Sequence, residues 1–355
     1  LVIGCGTFPT WNTYPGLFAA LATGNAVIVK PHPNAILPVA MSIRIIREVL
    51  VENGIGANLV TLAAFADGAD TRNLAQHPAV RSIDFTGGKA FGNWLLANCR
   101  QAQIYAELAG VNNIVIDSTY AYAAMLRNLA FTLSLYSGQM CTTSQVLFIP
   151  AAGIATDQGH KSFDDVAGDL AQAIEALLGK PEVALAVLGA VQSPDTLRRI
   201  EAASGGSLGK VILATRKVEH PDFLDAEVRT PVLIACQAED EAAWMEERFG
   251  PIGFLVKVAD TAAAIALSER VVIEQGALTV GVYSTSEEVI EAMTAATWRS
   301  QVALSINLTS GVFVNQSAAF SDYHGTGGNP AANASYADAA FVASRFRVVQ
   351  RRYHL

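Results

Sequence analysis

The stretch Tyr136-Ser137-Gly138-Gln139-Met140-Cys141-Thr142-Thr143-Ser144 sets one cysteine among small and polar residues, just where an apolar helical pattern stops. A thiol nucleophile needs backbone and space around it for a carbonyl substrate to approach. Gly138 before Cys141, with Thr142, Thr143 and Ser144 after it, suits that need. Most free cysteines behave as small buried hydrophobes, so the residue type alone does not make a nucleophile. No Lys or Arg adjoins Cys141 in sequence to lower its pKa, and its activation must come from the fold. A second chemical feature is Thr86-Gly87-Gly88-Lys89-Ala90-Phe91-Gly92, between an apolar run and a helical pattern. There glycine lets a backbone approach a pyrophosphate and the helix N-terminus offers free N–H groups, although such turns are also common without any nucleotide.

These residues must be positioned by a large, mostly buried chain. Of 355 residues, 51% are hydrophobic and only 16% charged, which excludes disorder and points to two domains or one large α/β unit. The net charge of −8, with basic residues clustered only over 345–352, argues against a nucleic-acid partner. Cys5, Cys99, Cys141 and Cys236 lie far apart with no C-x-x-C pair, so neither a disulfide framework nor a metal site is indicated and a reducing, cytoplasmic setting is expected. Apolar stretches are broken by Asn25 or Arg127 before the roughly eighteen residues that a membrane helix requires, so no membrane partner is expected. The opening Leu1-Val2-Ile3 already reads as a buried strand, from which an upstream segment is expected.

Strand and helix patterns alternate: strands at 1–4, 26–29, 59–63, 82–85 and 103–108, and helices at 17–23, 38–53 and 89–96. That alternation is the signature of an open, doubly wound parallel sheet, whose ligands bind outside the carboxyl ends of its strands. A second α/β unit follows, with strands at 113–117 and 145–149 around a helix at 121–136. Further helices are expected at 163–178, 194–203, 239–247, 261–269 and 287–297, with strands near Val211, Val232, Phe254, Thr279 and Ala303. Residues 346–353 alternate as a terminal strand with exposed arginines, which needs a sheet edge from an upstream segment or another subunit.

Taken together, the motifs resemble those of the aldehyde dehydrogenase superfamily over nearly the whole chain. The family's W-N-x-x-P is matched by Trp11-Asn12-Thr13-Tyr14-Pro15, its strand-end K-P by Lys30-Pro31, and its F-T-G-S-x-x-x-G by Phe85-Thr86-Gly87-Gly88 through Gly92. E-L-G-G is matched by Glu107-Leu108-Ala109-Gly110, G-Q-x-C by Gly138-Gln139-Met140-Cys141, and E-x-F-G-P by Glu247-Arg248-Phe249-Gly250-Pro251. Lys30-Pro31-His32-Pro33 and His324-Gly325-Thr326-Gly327-Gly328-Asn329 look most like the phenylacetic acid degradation branch, which acts on a CoA-linked semialdehyde.

The resemblance implies two doubly wound α/β domains, for cofactor and catalysis, plus a C-terminal oligomerisation strand, with the N-terminal part of the fold missing. The boundaries it implies are 1–109, 110–312 and 313–355. It also implies NAD(P)-dependent oxidation of a small aldehyde to a carboxylic acid, and a homo-oligomer when full length. Cys141 would add to the carbonyl, the Asn12 amide and the Cys141 backbone N–H would hold the oxyanion, and Glu107 would deprotonate the hydrolytic water. Lys30, Pro33, Thr86, Gly87, Gly88, Gly92, Leu108, Glu247 and Phe249 would hold the cofactor, while Tyr14 and Phe320 are candidate pocket walls. NADP is favoured, since NAD-preferring relatives carry a carboxylate where Pro33 stands. Gly88 replaces the family serine and Ala109 the second-motif glycine. A CoA-acylating dehydrogenase and an inactive structural paralogue or fragment are the alternatives. Glu107 argues against the first, and the retention of Cys141, Asn12, Glu107 and Lys30 against the second.

Overall fold

The computed structural model describes residues 1–354 apart from 66, 67, 109, 322 and 323. The chain divides into two compact units, Leu1–Leu108 with Ala334–Leu355, and Ala109–Asn333. Ala109, singled out above as a departure from the family motif, lies outside the described residues.

In the first unit β1 (Val2–Ile3), β2 (Val27–Lys30), β3 (Val60–Leu62), β4 (Ser82–Gly87) and β5 (Gln103–Leu108) alternate with α1 (Tyr14–Ala22), α2 (Ile36–Glu52), α3 (Gly68–Ala75) and α4 (Lys89–Asn98). The strands are parallel, in the order β3-β2-β1-β4-β5. Such a sheet is covered on its faces, and its strands therefore read as apolar runs. Val27 and Val29 pack with Val39 and Ile43 of α2, while Ile83, Phe85 and Ile104 pack with Leu95 of α4. The direction of winding reverses between β1 and β4, which makes their carboxyl ends the switch point of the sheet. Helix α1 starts at Tyr14, ahead of the expected 17, because Pro15 has a fixed φ and no N–H to leave unpaired in a first turn. A Cβ on Gly92 would fall 2.1 Å from Leu108 Cδ2, so glycine is what lets α4 settle on β5.

Residues 346–353 pair with no strand among the described residues, and Val348, Val349 and Tyr353 lie exposed. Arg345, just before them, is only 1% accessible. Its guanidinium donates to Asp84 Oδ2 at 2.7 Å and Oδ1 at 2.5 Å, and lies 4.3 Å from the ring centroids of Tyr105 and Phe341. The Tyr105 and Ser344 hydroxyls are also hydrogen-bonded, and the Asn25 amide donates to the Arg345 carbonyl. The tail is thus clamped onto β4 and β5 by one buried ion pair.

The second unit runs β6 (Asn113–Ile116), β7 (Ser118–Thr119), α5 (Tyr122–Ser134), β8 (Val146–Pro150), β9 (Ile154–Thr156), β10 (Gly159–Lys161), α6 (Phe163–Leu178), α7 (Pro181–Val187) and α8 (Pro194–Ser204). It continues through β11 (Lys210–Leu213), β12 (Lys217–Val218), β13 (Val228–Arg229), β14 (Val232–Gln237), α9 (Glu241–Trp244), β15 (Ile252–Val258) and α10 (Thr261–Gln275). It ends with β16 (Thr279–Tyr283), α11 (Glu287–Ser300), β17 (Ala303–Ile306) and α12 (Val314–Ala319). The main sheet has the order β11-β14-β15-β8-β6-β16-β17, parallel except for the antiparallel edge strand β11. Alternation along β6 serves both faces: Ile114 and Ile116 pack with Leu129 of α5 and Leu170 of α6, while Val115 packs with Val271 and Met293. The return to the first unit comes at 334, not at the expected 313. Phe313 stacks on Phe131, Val314 lies in the second unit's core, and the Asn315 amide donates to the Thr132 carbonyl, all of which hold α12 in the second unit.

Removing one partner of a buried ion pair leaves an uncompensated charge, at a cost of about 3–5 kcal/mol. Arg345→Met is therefore expected to lower the unfolding free energy by about that amount in urea titrations. The double variant Asp84→Asn/Arg345→Met is expected to lose clearly less; equal losses would show that side-chain packing, not charge, sets the cost.

Candidate active site

The cysteine loop is built by backbone strain that its neighbours hold in place. After α5 the chain passes through Tyr136 (φ 52), Ser137 (φ 53) and Gly138 (φ +62), three successive left-handed residues. The first two pay a steric cost that needs compensation. Ser137 Oγ donates to the carbonyls of Gly189 (2.9 Å) and Arg229 (2.8 Å). A Cβ on Gly138 would sit 2.4 Å from the Gly250 carbonyl oxygen, so this glycine is required by contact as well as by φ. Gln139 is a clamp: its amide donates to the carbonyls of Tyr136 and Ala190 and accepts from the Gln192 N–H at 2.9 Å.

Beyond the cysteine, Thr142 Oγ1 donates to the Asn315 carbonyl at 2.8 Å. Asn112 is 2% exposed; its amide donates to the carbonyls of Cys141 (2.7 Å) and Thr143 (3.2 Å), and its Oδ1 accepts from the N–H groups of Leu278 (2.8 Å) and Thr279 (3.1 Å). Held in this way, Cys141 is half-buried against Leu278, Ala331 and Ala332, and its Sγ lies 3.4 Å from Nε2 of His324.

The same unit brings the E-x-F-G-P segment against this loop. Gln145 donates to the carbonyls of Arg248 (2.7 Å) and Gly250 (3.2 Å) and accepts from the Arg248 N–H, while Arg199 donates to the Phe249 carbonyl. Glu247 and Phe249 are half-buried in that segment. The expected helix over 239–247 is only α9, because the chain must leave it early to reach this turn. Phe320 caps the end of α12 and is 64% exposed.

In the first unit the candidate cofactor residues gather at the carboxyl ends of the strands. Lys30 closes β2, is 8% exposed, and has its pKa lowered by desolvation, with no acidic partner among the described residues. The His32 ring lies against Gly6 and its Nδ1 accepts from the Asn34 N–H at 3.2 Å, capping the turn that Pro33 begins. Burial first, then the Lys30 charge, holds its pKa below the usual imidazole range. Thr86 and Gly87 end β4 opposite Glu107 and Leu108 of β5, and Glu107 is buried. Gly88 caps α4 without any side-chain hydrogen bond, and a Cβ there would meet nothing within 4 Å.

Asn12 and Tyr14 are both braced by contacts inside the first unit. The Asn12 amide donates to Cys5 Sγ (3.0 Å), the Thr7 carbonyl (3.0 Å) and the Phe8 carbonyl (3.1 Å). These contacts hold the amide within its own loop. Tyr14 shares a 2.9 Å hydrogen bond with Ser42 of α2 and packs edge-on against Phe18, so it braces two helices. Asn112 and His324 were given no role from sequence. The signal for Asn112 was a polar residue at the entrance to a fully buried strand; for His324 it was its place at the head of the H-G-T-G-G-N motif.

A doubly wound unit with a switch-point crevice, and a second unit presenting one cysteine on a clamped loop, define the aldehyde dehydrogenase fold. Residues 6–337 match the aldehyde dehydrogenase family, and the chain belongs to it. Over its whole length the chain superposes on 63% of an NAD-dependent aldehyde dehydrogenase from Burkholderia multivorans, with 54% identity and a TM-score of 0.96. It also superposes on a 1-pyrroline-5-carboxylate dehydrogenase from Thermus with a TM-score of 0.69, 21% identity, and 97% of this chain and 64% of that chain covered; this likeness is one of fold. A family 7 member A1 homolog from Caenorhabditis elegans is 25% identical over 284 residues, 76% of this chain and 50% of its own. The chain thus spans about half the length of the curated relatives it matches. No helix among the described residues is long and apolar enough to cross a membrane.

Losing the Asn112 side chain would strand two carbonyls and two N–H groups in a dry interior. Asn112→Ala is therefore expected to destabilise the protein by about 3 kcal/mol or more, from roughly 1–3 kcal/mol per stranded group with partial relaxation. Chemical denaturation checks this, and a loss below about 1 kcal/mol would deny Asn112 its clamping role.

Proposed function

We propose that this protein oxidises an aldehyde to a carboxylic acid, using NAD or NADP, with Cys141 as the nucleophile. The observation that carries the reading is the presentation of Cys141: a strained loop, clamped through Gln139 and Asn112, holds one half-buried thiol beside the Glu247–Phe249 turn. The first unit's residues fit a dinucleotide. Lys30 is a nearly buried cation with no acidic partner among the described residues, and α4 begins at the end of β4 behind the side-chain-free cap Gly88.

On this reading Lys30 holds ribose hydroxyls, the Gly88 turn and the first turn of α4 hold the pyrophosphate, and Glu247 and Phe249 hold the nicotinamide end. When bound, the dinucleotide supplies the hydride acceptor. Cys141 adds to the carbonyl, its own backbone N–H faces the developing oxyanion, and Glu107 deprotonates the water that releases the acyl group. A CoA-linked semialdehyde of phenylacetate catabolism is the proposed substrate, supported by Lys30-Pro31-His32-Pro33 and the His324–Asn329 motif.

The test is Glu107→Gln, which keeps shape and hydrogen bonding but cannot accept the water's proton. Acyl transfer to Cys141 is expected to survive while hydrolysis slows by roughly 10²- to 10⁴-fold. Rapid mixing should then give about one reduced cofactor per active site, and intact mass should find the acyl group on Cys141. Slow cofactor reduction from the first turnover, with no acyl-enzyme, would remove Glu107 from this role. Free CoA that accelerates release from the wild type would instead favour acyl transfer to a thiol.

Cofactor choice follows from charge. Pro33 offers no carboxylate to repel a 2′-phosphate, which supports acceptance of NADP. His32, its pKa lowered, is neutral near pH 7 and adds no second positive charge, so the preference expected from sequence rests on Lys30 alone. The Burkholderia relative, described as NAD-dependent, supports use of NAD. The expected kcat/KM values for the two cofactors lie within about tenfold, and Pro33→Glu should cut the NADP value by about 100-fold while sparing NAD, as a charge repulsion of a few kcal/mol requires. A Pro33→Glu variant with unchanged NADP kinetics would place the 2′-phosphate elsewhere.

A further inference from the structure

We propose that His324 is a catalytic residue whose Nε2 accepts the Cys141 thiol proton, so that the two side chains act as a cysteine–histidine pair. The proposal rests on the reading of Cys141 as the nucleophile and adds what that reading lacks, a source of thiolate. No basic residue adjoins Cys141 in sequence, yet Sγ lies 3.4 Å from His324 Nε2 in the second unit.

The other ring nitrogen fixes the direction of the proton. Nδ1 of His324 lies 3.2 Å from the Ala318 carbonyl oxygen, which can only accept, so Nδ1 carries the hydrogen and Nε2 presents its lone pair to sulfur. The ring is 3% exposed, and the His324 backbone N–H is bound to the Ser321 carbonyl at 3.1 Å. Ala318 belongs to α12, which Val314 and Asn315 anchor in the core, while Asn112 fixes Cys141 through its carbonyl. Both partners are therefore held by buried supports, as a nucleophile, a base and the group that orients the base must be.

The step balances without any further reactant. The S–H proton first moves to Nε2, leaving a thiolate–imidazolium pair; the Sγ electron pair then forms the S–C bond as the carbonyl π pair moves onto oxygen. When the C–S bond later breaks, its electron pair returns to sulfur and the thiolate is again paired with the imidazolium. A histidine that merely fills the core would hold stability but would not change the reactivity of the thiol.

Iodoacetamide alkylation of Cys141, followed by mass spectrometry at pH 7, tests this without aldehyde, cofactor or turnover. A free cysteine is about 3% thiolate at that pH, so pairing raises the reactive fraction roughly thirtyfold. The lower nucleophilicity of a low-pKa thiolate trims the gain to about threefold. His324→Gln is expected to slow alkylation by about threefold while its melting temperature stays close to that of the wild type. An unchanged alkylation rate in a folded His324→Gln variant would overturn the proposal. Should that variant fail to fold, the ultraviolet difference spectrum of wild type minus Cys141→Ser decides: a thiolate band near 240 nm at neutral pH supports the pair, and its absence overturns it. Cys141→Ser separates the two claims. If it abolishes aldehyde oxidation while His324→Gln alkylates normally, the nucleophile stands and the pair falls; if it keeps its oxidation rate, the nucleophile assignment itself falls.

Discussion

The absence of room for a Cβ at Gly138 is the constraint on which the cysteine loop depends. The chain turns there with a left-handed backbone directly against the Gly250 carbonyl, so the loop bearing Cys141 and the turn bearing Glu247 and Phe249 can approach each other only at this residue type. Two further left-handed residues, Tyr136 and Ser137, precede it, each costing on the order of 1–3 kcal/mol. The hydrogen bonds of Ser137 and Gln139 to residues 189–192 and 229 offset that strain. A loop stabilised in this way has one conformation, and the position of the thiol follows from it.

The same logic extends downstream of the cysteine. Asn112 uses its whole amide, two donor contacts and two acceptor contacts, to join the cysteine loop to the entry of β16. Thr142 ties the loop to α12, and α12 in turn supplies the carbonyl that orients His324. Each link is a buried polar contact whose loss would leave an unsatisfied group, so the network holds together or fails together. In the first unit the corresponding element is the Asp84–Arg345 pair. It carries no chemistry, but it docks the returning tail on the sheet whose strand ends hold Lys30, Thr86 and Glu107.

What sequence reasoning could not supply was partners. Asn12 and Tyr14 were singled out from the sequence, and the structure adds that their polar atoms meet Cys5, Thr7, Phe8 and Ser42. Arg345 stood in a run of basic residues, and nothing local announces that its partner is Asp84, far away in sequence, with two aromatic rings beside the pair. The alternation over 346–353 states which faces a strand would have, and its edge must come from outside the described sheets.

The amino-acid sequence by itself determined the alternating α/β order, both main sheets, the cysteine and the glycine turns, because hydrophobic period, backbone freedom and a reactive side chain are properties of short segments. The close approach of His324 to Cys141, the Asn112 clamp, the burial of Arg345 and the assignment of α12 to the second unit were decided only by the tertiary structure. Each is a contact between residues distant in the chain, and the tautomer of a histidine or the fate of an amide hydrogen depends on which acceptor the fold brings within about 3 Å.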